Sequence, residues 1–221
     1  MTSYTHSADL FAHLPRERTC EPLDSGAAIL RAFVSGDEPR LLREVESITA
    51  HAPFRHLITP GGFRMSVAMT NCGELGWVSD RTGYRYDPID PQTGAHWPAM
   101  PALFRDVAQR AAAAAGFEGF EPDACLINRY SPGTRLSLHR DYDEKDIHAP
   151  IVSVSLGVSA TFLWGGLQRG DRTRRIALDS GDVVVWGGDS RFVYHGIAPL
   201  PERDHPLTGS HRINLTFRKA R

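Results

Sequence analysis

Two histidines and one aspartate have the residue types and spacing of a metal site. His139 and Asp141 are two residues apart, so on a strand both side chains point to the same face. His195, in a later Tyr-His-Gly-Ile segment, is the best placed of the remaining histidines to supply a third ligand. Two His and one carboxylate form the facial triad that suits Fe(II), whereas a hydrolytic zinc site more usually has His-Glu-x-x-His on a helix. The pattern predicts a metal triad, although the His-x-Asp spacing alone also fits an ordinary surface pair.

A polar row that contains two arginines lies near the end of the chain. Residues 212–218 read RINLTFR, and their alternation puts Arg212, Asn214, Thr216 and Arg218 on the face opposite the apolar residues. The two arginines are about 20 Å apart at Cα. They can clasp a small dicarboxylate between them, or one can hold its far carboxylate while the other lies beside the metal. A solvated outer face is the alternative.

Composition and charge limit the class of protein. The chain has 221 residues, 41% hydrophobic and 23% charged, with 20 Gly and 15 Pro, which excludes a disordered, collagen-like or coiled-coil chain. The net charge is −1, but residues 1–128 carry −5 and residues 129–221 carry +4. The C-terminal half is therefore the expected site for anions. The arginine-rich segment 169–175 has enough positive charge to approach a phosphate backbone. The alternative is an ordinary solvent-exposed turn.

The sequence shows no targeting or membrane segment. It begins without a basic region followed by an apolar stretch, and its longest mostly apolar run, residues 151–164, is shorter than the ~20 residues of a membrane helix. We therefore expect a cytoplasmic protein without a membrane span. The three cysteines are odd in number and far apart, which favours buried thiols over a disulfide framework or zinc cluster: Cys20, Cys72 and Cys125.

The elements that must position these residues change in type along the chain. A short strand is predicted over 27–33, a helix begins near Asp37 and Pro39, and a second helix follows Pro101 and ends at Gly116. Between the helices, residues 59–101 are rich in Gly, Pro, Tyr and Trp and indicate a loop-rich recognition segment. From residue 124 onward, eight short strands at hairpin spacing indicate a jelly roll or sandwich. They are predicted over 125–130, 136–141, 151–156, 161–164, 174–178, 182–186, 192–197 and 212–218.

Several ordered motifs resemble the AlkB family of Fe(II)/2-oxoglutarate dioxygenases. The resemblance is carried by His139-x-Asp141, by His195 with the preceding VVWGGDSR at 184–191, and by Arg-x-Asn-x-Thr-Phe-Arg at 212–218. It extends to MSVAMTNCG at 65–73, PIDPQT at 88–93 and DACLINRY at 123–130, and so covers nearly the whole chain. It implies a mainly β (α+β) fold, the double-stranded β-helix or jelly roll, with N-terminal supporting helices and a loop-rich nucleotide-recognition lid.

The resemblance implies specific site residues. The metal triad falls on His139, Asp141 and His195, and Arg218 joins them as a catalytic residue. The 2-oxoglutarate pocket falls on five residues, with Arg212 expected to pair with the distal carboxylate: Asn128, Tyr130, Arg212, Asn214 and Arg218. With Fe(II), 2-oxoglutarate and O₂, the reaction implied is oxidative demethylation of 1-methyladenine and 3-methylcytosine, which yields succinate, CO₂ and formaldehyde. The expected substrate is alkylated single- or double-stranded DNA in DNA repair, with RNA left open.

The recognition segment is expected to supply the substrate contacts. A base methylated on a ring nitrogen is cationic, so aromatic faces attract it, and the resemblance puts Trp77 and Tyr84 on the flipped base with His195 opposite. Asp143 is expected to accept a hydrogen bond from an exocyclic amine and to offset the positive charge. Core packing is the alternative for Trp77 and Tyr84. Further candidate contacts to the nucleotide or its phosphates are Tyr86, Met69, Thr59 and Arg169.

The predicted organisation is one enzyme domain behind a short leader. The leader spans residues 1–25, with its degree of order left open, and the domain spans 26–221, with a recognition lid at about 54–100 and a β-helix core at about 124–218. A monomer is expected. Family members can carry a basic residue where this chain has Tyr142, so one phosphate contact is missing or replaced. The alternatives are a 2-oxoglutarate-dependent hydroxylase of a protein side chain or small metabolite, and a nucleic-acid binding module without catalysis.

Overall fold

Two antiparallel sheets face each other in the computed structural model of the protein, which describes residues 16–221. The helices are α1 (Glu38–His51) and α2 (Ala102–Ala114). The strands are β1 (Thr19–Asp24), β2 (Ala27–Arg31), β3 (Ala68–Gly73), β4 (Gly76–Asp80), β5 (Gly83–Asp87), β6 (Ala124–Tyr130), β7 (Leu136–His139), β8 (Ile151–Gly157), β9 (Ala160–Trp164), β10 (Arg174–Leu178), β11 (Val183–Trp186), β12 (His195–Ile197) and β13 (Arg212–Arg218).

The strand order gives the architecture of a double-stranded β-helix. The large sheet has seven strands in the order β1-β2-β11-β8-β13-β6-β3, and the small sheet has four in the order β10-β9-β12-β7. β4 and β5 pair only with each other, as a hairpin outside both sheets. The predicted fold class, mainly β with supporting helices, is confirmed.

Both helices pack on the outer face of the large sheet. α1 begins with Pro39 in its first turn and buries Leu41, Val45 and Ile48, which lie on one face at helical spacing. α2 ends where the amide of Phe117 donates to the carbonyl of Ala112, with the intervening Gly116 at φ +87°. Its buried side chains join those of α1 and of the sheet in one apolar core: Phe104, Val107, Ala108, Ala111 and Ala112.

A second apolar core fills the space between the two sheets. It includes Ile151, Phe162, Trp164 and Trp186, which come from β8, β9 and β11. On the central strand β13, Ile213, Leu215 and Phe217 enter the first core, the polar side chains lie on the opposite face, and all seven residues are buried. The polar row at 212–218 is therefore enclosed between the sheets, so its interpretation as a solvated face is wrong.

Most predicted elements are confirmed, with differences at their ends. All eight strands predicted after residue 124 form, but β7 stops at His139 and β12 begins at His195, so both are shorter than predicted. Asp141 consequently lies two residues beyond its strand. The segment 59–101 contains three strands that its broken pattern hides, since β3 to β5 are rich in Gly, Ala, Asn and Asp, which are poor strand formers.

The predicted leader and the predicted lid each include an edge strand of the large sheet. Residues 1–15 of the leader lie outside the described residues, while residues 19–24 form an edge strand of the large sheet. β3, inside the predicted lid, is the opposite edge strand.

The expectation of three buried thiols is wrong for Cys20, which is exposed on β1, whereas Cys72 and Cys125 are buried. Within residues 16–221, neither helix has the length and apolar character needed to cross a membrane.

Candidate metal and cosubstrate site

β7 and β12 bring the two histidines of the triad together. His139 and His195 are direct partners in the register of these antiparallel strands, and their ring centroids are 4.4 Å apart. The pairing is irregular at Gly196, where a Cβ atom would lie 2.6 Å from the carbonyl oxygen of Leu136. Only glycine permits this approach without a backbone shift. The Gly196 position therefore helps to set the distance between the two imidazoles.

The three predicted ligands converge on one point. Their candidate ligand atoms all lie within 4.8 Å of one another, and Asp141 is 3.8 Å from Nε2 of His139 and 3.6 Å from Nε2 of His195. Nδ1 of each histidine is near a backbone carbonyl oxygen, that of Ser137 at 2.9 Å and that of Val193 at 3.0 Å. Because a carbonyl only accepts, each Nδ1 carries the proton and each Nε2 has a free lone pair. The donor set and its orientation fit an Fe(II) ion.

The protonation states of His195 and Asp141 also suit a cation. Burial and the neighbouring His139 lower the pKa of His195 to about 4, so its imidazole is neutral near pH 7. Burial opposes ionisation of Asp141, but Arg218 and the two histidines outweigh it and hold the pKa of that carboxyl well below its usual range. Nη2 of Arg218 lies 3.0 Å from Oδ2 of Asp141. Arg218 therefore orients the carboxylate and keeps it charged.

Arg212 has the features of a receptor for an external carboxylate. It is 1% exposed, its guanidinium lies 5.1 Å from the ring centroid of Tyr130, and Nη2 donates to the hydroxyl of Ser155 at 2.9 Å. Nε and Nη1 have no hydrogen-bond partner among the described residues. Burial lowers the pKa of Arg212, although arginine stays charged at this depth. A buried cation with two free donors needs an anion, and the distal carboxylate of 2-oxoglutarate fits.

The other predicted pocket residues lie on the same two neighbouring strands as Arg212, namely β6 and β13. Asn128 and Asn214 are register partners on β6 and β13, and Nδ2 of Asn128 is 3.3 Å from Oδ1 of Asn214. Asn214 is fixed further by Ser153 and the carbonyl of Val154, at 2.8 and 3.0 Å. Oδ1 of Asn128 has no partner among the described residues. The structure thus brings all five predicted 2-oxoglutarate residues onto the inner face of β6 and β13, while their contacts with the cosubstrate stay a prediction.

The sequence does not predict a buried ionic network that lies behind the candidate metal ligands. Arg191, 2% exposed, donates to the backbone carbonyl of Asp141 at 2.7 Å and to the carboxylate of Glu144 at 2.9 Å. Glu144 also accepts a hydrogen bond of 2.6 Å from the hydroxyl of Tyr86. The network fixes the loop after β7, which carries Asp141. Arg191 does lie within the VVWGGDSR motif, but nothing in its spacing indicates Glu144 as a partner.

The predicted base-binding aromatics lie on the β4–β5 hairpin. Trp77 and Tyr84 stack on each other with centroids 5.5 Å apart and planes 14° apart. Nε1 of Trp77 donates to Asp143 at 2.9 Å, and Asn71 bonds to both the amide and the carbonyl of Trp77 at 3.0 Å. Asp143, the acceptor for Trp77, lies two residues along the chain from the predicted metal ligand Asp141. The roles of Trp77, Tyr84 and Asp143 toward a base stay predictions.

The remaining predicted contacts are dispersed. The hydroxyl of Tyr86 donates a hydrogen bond to Glu144 at 2.6 Å. Met69 is 3% exposed and lines a cavity of about 260 Å³ with Trp77. Thr59 accepts a hydrogen bond from the amide of Phe63 in an exposed turn, and Arg169 lies 5.8 Å from the ring of Tyr194. Their contacts with substrate stay predictions.

Comparison with known proteins gives a consistent result. Residues 26–218 match the model of the 2OG-Fe(II) oxygenase superfamily. The chain is 58% identical over 212 residues to alpha-ketoglutarate-dependent dioxygenase AlkB of Escherichia coli, which covers 96% of this chain and 97% of that protein. It is 57% identical over 200 residues to the Salmonella typhimurium protein of the same name, covering 90% and 93%. The solved structure of OsALKBH1 has a TM-score of 0.79 at 28% identity, over 91% of this chain and 100% of that one.

Proposed function

Since this chain belongs to the AlkB family of Fe(II)- and 2-oxoglutarate-dependent dioxygenases, we propose that it removes methyl groups from N-alkylated bases of DNA by oxidation. The proposed lesions are 1-methyladenine and 3-methylcytosine, in single- or double-stranded DNA, with RNA as a further substrate. 2-Oxoglutarate is converted to succinate and CO₂, and the methyl carbon leaves as formaldehyde. A monomeric state and a cytoplasmic location remain predictions of the sequence.

The observation that carries the proposal is the pairing of a complete triad with a buried, incompletely bonded arginine in one enclosure. His139, Asp141 and His195 offer three ligands, and Arg212 offers free donors on the same inner face of the sheets. Fe(II) with bound 2-oxoglutarate and O₂ supplies the oxidising power for hydroxylating a methyl group. The chain holds His195 neutral and Asp141 anionic, orients Asp141 through Arg218, and buries His195 and Arg212 away from water.

The aromatic residues of the β4–β5 hairpin support the proposal that the substrate is a cationic nucleobase. Ring methylation makes adenine and cytosine positive, and the faces of Trp77 and Tyr84 can attract such a ring by about 0.5–2 kcal/mol. Trp77 already directs its ring nitrogen to the carboxylate of Asp143, so an acceptor with negative charge lies beside the aromatic pair. A base must leave its stack to reach this site, which costs less in damaged or single-stranded DNA.

The test is mass spectrometry of a single-stranded oligonucleotide that carries one 3-methylcytosine, incubated with protein, Fe(II), 2-oxoglutarate and air. We expect loss of the methyl group with wild-type protein, and none with Asp141→Ala or without Fe(II) or 2-oxoglutarate. Succinate formation with the methyl group intact would support the dioxygenase chemistry but reject the nucleobase, and would favour a hydroxylase of protein or metabolite. Absence of both reactions would reject catalysis.

A further inference from the structure

Two tryptophans lie against the candidate metal ligand His195 and connect it to the protein surface. The ring centroid of Trp186, on β11, is 4.8 Å from that of His195, and the centroid of Trp164, on β9, is 6.5 Å from it. The two indoles are 6.2 Å apart in an edge-to-face arrangement. Trp164 is also the direct register partner of His195 across β9 and β12. The three rings therefore form one continuous aromatic cluster that begins at the metal site.

The two buried indoles differ in the surroundings of their N–H groups. Nε1 of Trp164 lies 3.4 Å from Oδ2 of Asp24, a carboxylate on β1 whose side chain is 53% exposed. Nε1 of Trp186 is buried and has no hydrogen-bond partner within residues 16–221. Loss of an electron makes an indole N–H strongly acidic, so a carboxylate at this nitrogen stabilises the oxidised ring. Oxidation is therefore more favourable at Trp164 than at Trp186.

An electron route to the metal site has a use whenever O₂ reacts without a base in place. Conversion of 2-oxoglutarate and O₂ to succinate and CO₂ leaves one oxygen atom of O₂ still to be reduced. Without a methyl group to oxidise, that atom needs two electrons and two protons from elsewhere to become water. The indole beside His195 is otherwise the nearest oxidisable side chain of the cluster. Aromatic rings in contact exchange single electrons rapidly, so the tryptophans can supply the electrons.

We propose that Trp164 and Trp186 carry electrons from the protein surface at Asp24 to the metal centre, and so protect the centre from self-oxidation when no base is bound. In each of two steps, Trp164 gives one electron towards His195, directly or through Trp186, and its N–H proton passes to Asp24. An enediol reductant in solution, such as ascorbate, then returns one electron to Trp164, and the proton returns from the carboxylate.

The two steps balance. The reductant loses two electrons, the remaining oxygen atom takes up two electrons and two protons from solvent to form water, and both indoles end unchanged. This inference goes beyond the proposed demethylation, because it rests only on the dioxygenase chemistry of the family. It is tested without DNA, so a failure of the nucleobase proposal would leave it standing.

The first test locates oxidation within the protein. The holoenzyme is incubated with Fe(II), 2-oxoglutarate, O₂ and ascorbate but without DNA, and peptide mass spectrometry counts the oxygen atoms added to the chain per succinate formed. Trp164→Phe keeps an aromatic ring but removes the indole that gives up electrons. We expect it to raise oxidation of the peptide that contains Trp186 several-fold. Oxidation no greater than in wild type would overturn the proposal.

Two further variants and a binding measurement make this test specific. Trp97→Phe is the matched control, since it removes another buried indole, whose N–H is bonded to the carbonyl of Asp87, and is expected to match wild type. Asp24→Asn changes only an exposed side chain and is expected to raise oxidation by a smaller factor, because an amide accepts a proton poorly. Mn(II) affinity, measured by calorimetry, should be unchanged in all three variants. Equal oxidation in Trp97→Phe, or weaker Mn(II) binding in Trp164→Phe, would attribute the oxidation to disturbed packing and overturn the proposal.

The second test detects the oxidised indole itself. Holoenzyme with 2-oxoglutarate is mixed with O₂ in the absence of ascorbate, frozen rapidly and examined by electron paramagnetic resonance, with ring-deuterated tryptophan to identify the radical. We expect a tryptophan radical in wild type and in Trp97→Phe, its loss in Trp164→Phe, and its disappearance when ascorbate is added. No radical in wild type, or one of equal amplitude in Trp164→Phe, would show that Trp164 does not carry the electrons.

Discussion

The β-helix core, formed by the large and small sheets, and the β4–β5 hairpin position their functional side chains by different means. In the core, β13 pairs with β8 on one side and β6 on the other, and its seven residues are all buried. The hairpin has two strands that pair only with each other, and Tyr84 on it is 44% exposed. Strands bonded on both sides fix Arg212 and Arg218 rigidly, whereas an isolated hairpin depends on a few side-chain contacts for its position.

Two of these contacts join the hairpin to the loop that carries Asp141. The hairpin reaches the metal-ligand loop through Trp77 to Asp143 and through Tyr86 to Glu144, both direct hydrogen bonds. We infer that the core supplies the ligands for iron and 2-oxoglutarate, and that Trp77 and Tyr84 on the hairpin select the substrate. Changes in the core should therefore impair every reaction, while changes at Trp77 and Tyr84 should impair only the reaction with the base.

The largest expected effect is in the core, from Gly196→Ala. The added methyl group would meet the Leu136 carbonyl oxygen at 2.6 Å and the Leu138 amide nitrogen at 3.2 Å, so β7 must shift away from β12. A displacement of about 1 Å in a catalytic group costs on the order of 100-fold. We expect at least this loss in kcat, and weaker Mn(II) binding by calorimetry. The control is Gly170→Ala, where a Cβ meets nothing within 4 Å; wild-type Mn(II) affinity in Gly196→Ala would contradict the account.

Next is Arg212→Gln, which removes the buried charge expected to hold the far carboxylate of 2-oxoglutarate. A hydrogen bond to a charged group is worth about 1.5–3 kcal/mol, so KM for 2-oxoglutarate should rise roughly 10- to 150-fold. Metal affinity should change little, because Arg212 does not contact the triad. Steady-state succinate formation measures KM, and exposed Arg203→Gln is the control. An unchanged KM would show that the cosubstrate carboxylate lies elsewhere.

The same contrast explains what the sequence could predict. Regular alternation in the seven-residue β13 and the hairpin spacing of apolar runs after residue 124 predict the core strands. In the hairpin, five-residue strands with Gly and Asp carry too little pattern, and the segment looks like a loop. The Arg191–Glu144 pair was missed because its partners are 47 residues apart, and only the fold brings them together.

A smaller effect is expected in the hairpin, from Trp77→Ala. Stacking of a base on an aromatic ring is worth about 1–3 kcal/mol, so KM for a methylated oligonucleotide should rise about tenfold. Succinate formation in the absence of DNA should stay at the wild-type rate, since the triad and Arg212 are untouched. Trp77→Phe keeps a ring but loses the bond to Asp143, and so separates stacking from hydrogen bonding. If Trp77→Ala also stops DNA-independent succinate formation, the division between core and hairpin fails.

The smallest effect on activity is expected from Asp90→Asn, which tests how a buried ion pair stabilises the recognition segment. Asp90, 1% exposed, forms a two-point ion pair with Arg55. Burial opposes its ionisation, but the bonds from Arg55 and from the Gln92 amide outweigh it and hold the pKa of Asp90 below its ordinary 3.8. The carboxylate therefore stabilises the fold above pH 3.8, and this contribution is lost as the pH falls through the lowered pKa.

Asp90→Asn should accordingly reduce the free energy of unfolding by about 1 kcal/mol at pH 7. The difference from wild type should shrink as the pH falls below 3.8, because both proteins then have a neutral side chain at this position. Urea unfolding at several pH values measures this difference in the free energy of unfolding. The control is Asp106→Asn, which removes one partner of an exposed ion pair on α2 and is expected to change the free energy of unfolding little. A difference that is constant with pH would mean that Asp90 acts through packing and not through its charge. In either case DNA-independent succinate formation should stay within about twofold of wild type, since an effect near 1 kcal/mol leaves a folded core intact.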